Sequence, residues 1–337
     1  MEGQDKGGEN EGRRDPRAQG TRHGASSGAG PSARHGGTVG RRCDGKRPNF
    51  GAGPERGVAG CSEPGGVQSA PMRVGALEIL PVVDGWARLP AGDLLRFTGG
   101  RDDPWLPHEQ FLTADGSIEL SLGGFLVRTG DRVVVIDAGA GRIDNDIYHG
   151  GQFLDSLAAL GVGVDDVTDV VFTHLHFDHV GWATQRGTVV FPRATFRCHG
   201  ADWDHFVAGP TPEAGSVRKL SPLADRLEPF GDDTSLAPGI TVRHAPGHTP
   251  GSAVIVVADG AERALLLGDV VHCPVELMED DWEAIVDVDP VLARRTREAL
   301  AKELEGSDVP VAAAHFPGLQ FGRLLAGTGR RHWTFGD

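Results

Sequence analysis

Between residues 174 and 179 the chain reads His-Leu-His-Phe-Asp-His, and no other stretch restricts its fold so strongly. The run before it, Asp169-Val170-Val171-Phe172-Thr173, is short, apolar and β-branched, the pattern of a buried strand. Four side chains able to bind a metal therefore lie where a strand gives way to a loop, and a loop held by a rigid strand is a common place for chemistry. His174 and His176 are two residues apart, so in extended backbone they point the same way. Asp178 and His179 follow as the chain turns and address a neighbouring point. One cluster thus faces two positions, as a two-metal site requires. A solvated loop would account for one histidine or two. It does not account for three of the chain's 14 histidines, with an aspartate, inside six residues.

The 337 residues allow one large domain or two small ones, and their composition is uneven. Residues 1–71 hold 18 of the 50 glycines and one aromatic residue, Phe50. They carry 11 Lys/Arg against 8 Asp/Glu, which leaves 22 against 39 for residues 72–337, a net charge of -17. A segment so poor in apolar side chains cannot offset its ordering entropy, so residues 1–71 read as a disordered tail. The tail lacks the apolar core of a signal peptide. Its interspersed acids and missing aromatics argue against nucleic-acid binding, and the acidic remainder disfavours nucleic acid and phospholipid surfaces. No stretch reaches 18 apolar residues, so no membrane span is expected. Cys43, Cys61, Cys198 and Cys273 show no paired spacing, which suits a reducing cytoplasm.

Strand patterns occupy Val74–Val83, Ile118–Thr129 and Arg132–Asp137, the last two joined by Gly130-Asp131 as a hairpin. The polar stretch 87–115 reads as a long loop of the kind that serves as a lid. A helix is expected over Gln152–Leu160, with Leu154, Leu157 and Ala158 inward and Gly161 as its stop. Further strands are expected at Thr188–Val190, Ala194–Cys198, Ile240–His244, Ser252–Ala258, Arg263–Leu267 and Val309–Ala314, with helical pieces and loop over 209–235. Asp289-Pro290 opens a helix to about Glu305, with Gly306 at its end. Two strand-rich halves with interleaved helices predict an α/β fold: two sheets packed face to face, helices outside.

The other candidate ligands follow strand ends: His248 in a Gly/Pro turn, Asp269 after Leu265-Leu266-Leu267-Gly268, His315 after Val311-Ala312-Ala313-Ala314. Singly, each is what a turn would hold. Strand ends on one edge of a layered sheet face one crevice, and there they join the first cluster. Seven nitrogen or oxygen donors without a thiolate suit zinc, or manganese, cobalt or iron.

His174-x-His176-x-Asp178-His179, followed by His248, Asp269 and His315, resembles the metallo-β-lactamase superfamily of αββα hydrolases. Asp137, in Val135-Ile136-Asp137-Ala138-Gly139, matches the aspartate that closes an early strand in that family. The resemblance spans about residues 74 to 325. The full set is found in two-metal branches, among them N-acyl homoserine lactonases, glyoxalase II and methyl parathion hydrolase-like enzymes. Asp269-Val270-Val271-His272 and Ala314-His315-Phe316-Pro317-Gly318 look most like the lactonase and parathion-hydrolase neighbourhood. Homoserine lactonases usually carry a tyrosine three residues after the bridging aspartate, and here that place is His272.

The resemblance implies that His174, His176 and His248 hold one divalent metal, Asp178, His179 and His315 a second, and that Asp269 bridges them. It implies a hydrolase of small esters, lactones or phosphotriesters. The nucleophile would be a hydroxide between two metals, zinc above all, whose charge lowers the pKa of a shared water. Asp178 is read as passing a proton to the leaving group and His272 as donating to the substrate oxygen. Asp137 is read as orienting a metal-bound histidine. Most of Trp86, Trp105, Phe111, Trp182 and Trp282 read as core packing. Cys273 reads as a small apolar filler, and His199 and His205 as surface residues. The alternatives are a glutathione thioester hydrolase, which wants a basic patch, and an iron-dependent sulfur dioxygenase. The expected partner is a small-molecule substrate, with helix-face homodimers unsurprising. Met72 opens the first strand pattern, so it is expected to be the true start of the natural protein. Intact mass of the natively expressed protein checks this, and a mass near the full 35.6 kDa would overturn it.

Overall fold

A computed structural model describes residues 71–336. All of the expected tail except Pro71 lies outside the described residues, and so do Cys43 and Cys61. The first sheet runs β1 (Met72–Val74), β2 (Leu77–Pro90), β3 (Ser117–Thr129), β4 (Arg132–Ile136), β5 (Asp169–Val171) and β6 (Thr195–Arg197), neighbours in that order. Its first four strands are antiparallel, whereas β5 pairs parallel with both β4 and β6. The second sheet runs β7 (Thr234–Ala237), β8 (Ile240–His244), β9 (Ala253–Asp259), β10 (Glu262–Leu266), β11 (Val311–Ala312), β12 (Gly322–Leu325) and β13 (His332–Phe335), with β10 and β11 parallel.

Alternation along each strand assigns one face to each layer. Val134 and Ile136 of β4, Val171 of β5, and Ile255 and Val257 of β9 meet in one buried cluster between the sheets. Val135 and Val170 point the other way, against Phe153 and Leu157 of α1 (Phe153–Ala159). On the far side Val254, Leu265 and Val311 pack on Leu300, Ala301 and Leu304 of α2 (Pro290–Leu304). The layers are therefore helix, sheet, sheet, helix, as expected. Asp289 caps α2 by accepting from Leu292 N at 2.9 Å, with Pro290 behind it.

Three expectations change. The first strand pattern breaks at Gly75-Ala76 and resumes as β2, which runs on to Pro90 and pairs with β3 from Glu78↔Arg128 to Pro90↔Ser117. Past Val83, where the strand pattern ends, Asp84-Gly85 is a register shift inside that pairing. The stretch 87–115 is then mostly ordered: β2 ends in a helical turn (Ala91–Leu94), and a strand (Leu95–Phe97) pairs with Trp282–Ala284. In α1 the buried positions are Phe153 and Leu157, and Ala158 is exposed. The hairpin β12–β13, with its Trp333 and Phe335, is an addition to the expected strands. Trp182 and Trp282 are core residues, Trp105 packs on Trp282 with ring centroids 4.5 Å apart, and Cys273 is buried among apolar side chains.

Asp84 is fully buried and takes five hydrogen bonds. Its Oδ1 accepts from Gly151 N, Phe153 N and Trp182 Nε1, each at 2.9 Å. Its Oδ2 accepts from Ala140 N at 2.8 Å and Gly141 N at 2.9 Å. Every partner is a donor, so an amide here would set its own N–H groups against theirs. We expect Asp84→Asn to lower stability by at least about 3 kcal/mol in urea denaturation, and a loss below about 1 kcal/mol would contradict this role.

Candidate metal centre

The seven expected ligands converge from the ends of both sheets. The chain leaves β5 at Val171 and crosses to the second sheet through the bond from Ala253 N to Thr173 O, 2.9 Å, and His174 to His179 follow. His248 lies on the loop after β8, Asp269 on a turn after β10 and His315 after β11. Gly268, at φ +53°, is in the left-handed region, and a Cβ there would lie 2.6 Å from Thr173 Oγ1. Glycine thus lets the Asp269 turn press against the residue that precedes His174.

Two groups of donors form. His174, His176, His248 and Asp269 make one, and Asp178, His179 and His315 the other. His176 Nδ1 lies 3.0 Å from His174 Nε2 and 2.9 Å from His248 Nε2. Asp269 spans both groups. Its Oδ2 is 3.6 Å from the Nε2 atoms of His174 and His248 and 3.1 Å from that of His315, and its Oδ1 is 3.2 Å from His179 Nε2. Asp178 Oδ2 lies 3.6 Å from His315 Nε2.

Outside this ring, acceptors settle where the imidazole protons sit. His179 Nδ1 donates to Asp137 Oδ2 at 2.9 Å, His248 Nδ1 to Asp287 Oδ1 at 3.1 Å, and His315 Nδ1 to the carbonyl of Ser121 at 2.9 Å. His174 Nδ1 faces Thr173 Oγ1 at 3.2 Å, and that hydroxyl donates onward to Asp137 at 2.7 Å. With the Nδ1 protons outward, each Nε2 turns inward; burial favours the neutral ring, but at His179 and His315 the Asp269 carboxylate outweighs burial and raises both. Burial first, then the neighbouring His248, pushes His176 down to about 4, and burial with His179 holds His174 well below the ordinary histidine value. One N–H at His176 Nδ1 cannot serve both neighbours fully, so lone pairs about 3 Å apart face one another there unless a cation lies among them. His179 Nε2 and Asp269 Oδ1 are also buried without a hydrogen-bond partner. The residues present therefore fit divalent metal ions, with borderline-soft donors of the kind zinc takes.

Asp137 orients a ligand histidine, as its strand-end position suggested. It does so at φ 59°, a left-handed conformation unusual for a non-glycine residue, anchored by Thr173 N at 2.8 Å. His272 is buried with both ring nitrogens free of hydrogen bonds, its Nε2 3.5 Å from Asp269 Oδ2. Burial works against its charge, but Asp269 and Glu276 outweigh burial and raise it to about 9.

Several residues that orient the site carry no signal in the sequence. Asp287 sits between His248 and Arg297 Nη2, 3.0 Å away, and Glu276 Oε1 lies 3.5 Å from Arg297 Nε. Glu276 Oε2 accepts from His272 N at 2.6 Å. Asp202 joins the two histidine loops: it accepts from Leu175 N at 3.1 Å, Thr249 Oγ1 at 3.0 Å and Gly251 N at 2.6 Å. An N-cap followed by a periodic run announces itself in sequence, but a carboxylate bridging three loops does not.

His205 is exposed, but His199 is buried and accepts from Ala201 N, which corrects its surface assignment. His199, Asp232 and His244 form a third donor group. The two rings stack 4.1 Å apart and 7° from parallel, so their in-plane lone pairs cannot meet at one ion.

A cavity of about 200 Å³ opens over the centre. Beyond the ligands and His272 it is lined by Leu89, Leu94, Leu120, Val286, Tyr148 and Phe177, with Asp93 as its one further charge.

The sequence profile of the metallo-beta-lactamase superfamily matches residues 124–315. Metallo-beta-lactamase domain-containing protein 1 of Mus musculus is 30% identical over 152 residues, 44% of this chain and 50% of that protein. The chain spans about half the length of the curated relatives it matches. Among solved structures, that of AidC, a dizinc quorum-quenching lactonase in complex with a product, superposes with TM-score 0.68 at 22% identity, covering 80% of this chain and 97% of that one. The hydrolase AbOPH of the beta lactamase superfamily superposes with TM-score 0.66 at 25% identity, covering 79% and 98%.

Burial raises Asp202 to about 6 despite its three donors. A carboxyl whose folded value is raised from 3.8 binds its proton more tightly when folded. Its stabilising share is present at low pH and lost as pH rises from about 4 through about 6. Between pH 4 and 7.5 wild type should lose about 2 kcal/mol relative to Asp202→Asn in denaturant titrations of the metal-free proteins. A constant difference would contradict the raised value.

Proposed function

The chain belongs to the metallo-beta-lactamase superfamily, and on that footing we propose that it is a metal-dependent hydrolase that opens small esters, lactones or phosphotriesters at a two-metal centre. The observation that carries this reading is the inward set of imidazole nitrogens around Asp269, divided into two groups that this one carboxylate spans. Two divalent ions, zinc by preference, would be held by His174, His176 and His248 on one side and Asp178, His179 and His315 on the other. When bound they supply a nucleophilic water at neutral pH and a Lewis acid for the substrate oxygen.

The chain's own residues do the rest. Asp137, Asp287 and the Ser121 carbonyl keep the ligand rings turned inward. Asp178, at the cavity wall and only 9% exposed, is placed to take a proton and pass it to the leaving group. His272, also in the wall, donates from Nε2 to the substrate oxygen. The apolar walls exclude water from a small acyl or alkyl arm. No lysine or arginine lines the cavity, so glutathione's carboxylates would find no partner there, which counts against the thioester reading. A small molecule is the fitting partner for an acidic chain, and among the described residues no helix is long and apolar enough to cross a membrane.

Metal analysis of the purified protein, paired with hydrolysis assays on lactones, aryl esters, an aryl phosphotriester and a glutathione thioester, tests the proposal. About two zinc, manganese or cobalt ions per chain are expected, with ester or lactone turnover that a chelator abolishes and added metal restores. Iron without hydrolysis would move the chain to the oxygenase branch, and a protein that takes up no metal would overturn the ligand argument itself. His272→Phe should lower kcat about tenfold or more with little change in KM. An unchanged kcat would remove His272 from the chemistry.

A further inference from the structure

The charge pattern of the cavity reaches further than the bond that is broken. Away from the metal-facing groups its wall is apolar, through Leu89, Leu94, Leu120 and Val286, and it holds one carboxylate, Asp93, and no cation. Asp93 is exposed at the end of the helical turn Ala91–Leu94, and no hydrogen bond or ion pair joins it to another described residue. Two aromatic rings share this cavity. Tyr148, the single tyrosine of the chain, meets Phe177 in a T-shaped contact with centroids 5.0 Å apart. Phe177 is 48% exposed, so ring surface remains open. A carboxylate without a partner and an exposed aromatic pair, lining one apolar cavity, have the composition that receives an organic cation: the rings attract it through their quadrupoles and the carboxylate neutralises it. An anionic arm would meet no partner there. The net charge of -17 over residues 72–337 acts in the same direction by concentrating cations at the surface.

We propose that the non-reacting arm of the substrate ends in an alkylammonium group, and that Asp93, with Tyr148 and Phe177, is the specificity-determining element that reads it. The inference rests on the ester or lactone reading above. The expected ligand set would hold the ions that act on the scissile group, whereas Asp93 and the aromatic pair set which arm the cavity accepts. Asp93 touches no metal ligand and acts on binding, so its effect appears in KM.

The test uses the metal-loaded full chain and three aryl esters identical except for the end of the acyl arm: trimethylammonium, its uncharged tert-butyl isostere, and carboxylate. Wild type should favour the cation over the isostere by about tenfold in kcat/KM, with the carboxylate slowest. Asp93→Asn should bring the cation-to-isostere ratio within about threefold, chiefly by raising KM for the cation. Equal rates for cation and isostere in wild type, or a ratio unchanged in Asp93→Asn, would overturn the proposal. A second readout does not require turnover: the rise in Tm produced by a trimethylammonium alkanol against its tert-butyl counterpart. A larger rise with the cation in wild type, lost in Asp93→Asn, supports the proposal, and equal rises overturn it. Hydrolysis of none of the esters would remove the ester reading and leave the Tm comparison to decide the role of Asp93.

Discussion

The placement of a few protons on the outer nitrogens of buried imidazoles is the constraint on which this structure depends. Asp137, Thr173, Asp287 and the Ser121 carbonyl each hold one such proton away from the centre. Reversing any of them would turn an N–H inward and withdraw a donor. Asp137 accepts an unusual backbone conformation to hold its place, and the strain is offset by bonds from Thr173 N and Oγ1. The inner ring of nitrogens is thus prepared from outside, by groups that never face the cavity.

The same logic extends outward through carboxylates that tie loops rather than strands. Asp84 fastens the 139–141 and 151–153 segments to Trp182, and Asp202 fastens the His174–His176 loop to the His248 loop. Gly181 adds a close approach: a Cβ there would fall 2.0 Å from the Ala140 carbonyl carbon. Arg297, reaching in from α2, lies between Asp287 and Glu276, so the helix layer also bears on His248 and His272. Four candidate ligands come from one short segment, but three come from separate loops, and these bridges hold the loops in a common frame.

Much of this is legible in the sequence alone. The His174–His179 run, the strand before it and the hydrophobic runs preceding Asp269 and His315 led to the layered fold and to both donor groups. Those signals are local: apolar runs, turn chemistry and ligand spacing over a few residues. What escaped is non-local. The strand pattern stops at Val83, but 13-residue β3 carries β2 onward through a bulge at Asp84-Gly85. The length of β2 escaped with it, and so did the ordered part of 87–115. Asp202, Asp287, Glu276 and Arg297 look like ordinary helix or loop residues in sequence. Asp287 lies 39 positions beyond His248, and only folding brings it to the ring that it orients. His199 was misplaced for a related reason, since its burial comes from His244 and Phe230 on other segments.

The ligands also divide by sheet. His174, His176, Asp178 and His179 leave the first sheet, and His248, Asp269 and His315 leave the second. A cation gripped by both sets is a staple across the sandwich, closing a loop that runs from residue 174 to residue 315. Closing so long a loop is entropically unfavourable until the two sheets have docked. High-affinity metal capture would therefore be reserved for chains whose halves have already assembled in register, and a bound ion would in turn resist their separation. In such a protein, uptake of the metal doubles as a quality check on the fold: a chain with slipped sheets has the same seven side chains and no place to bring them together.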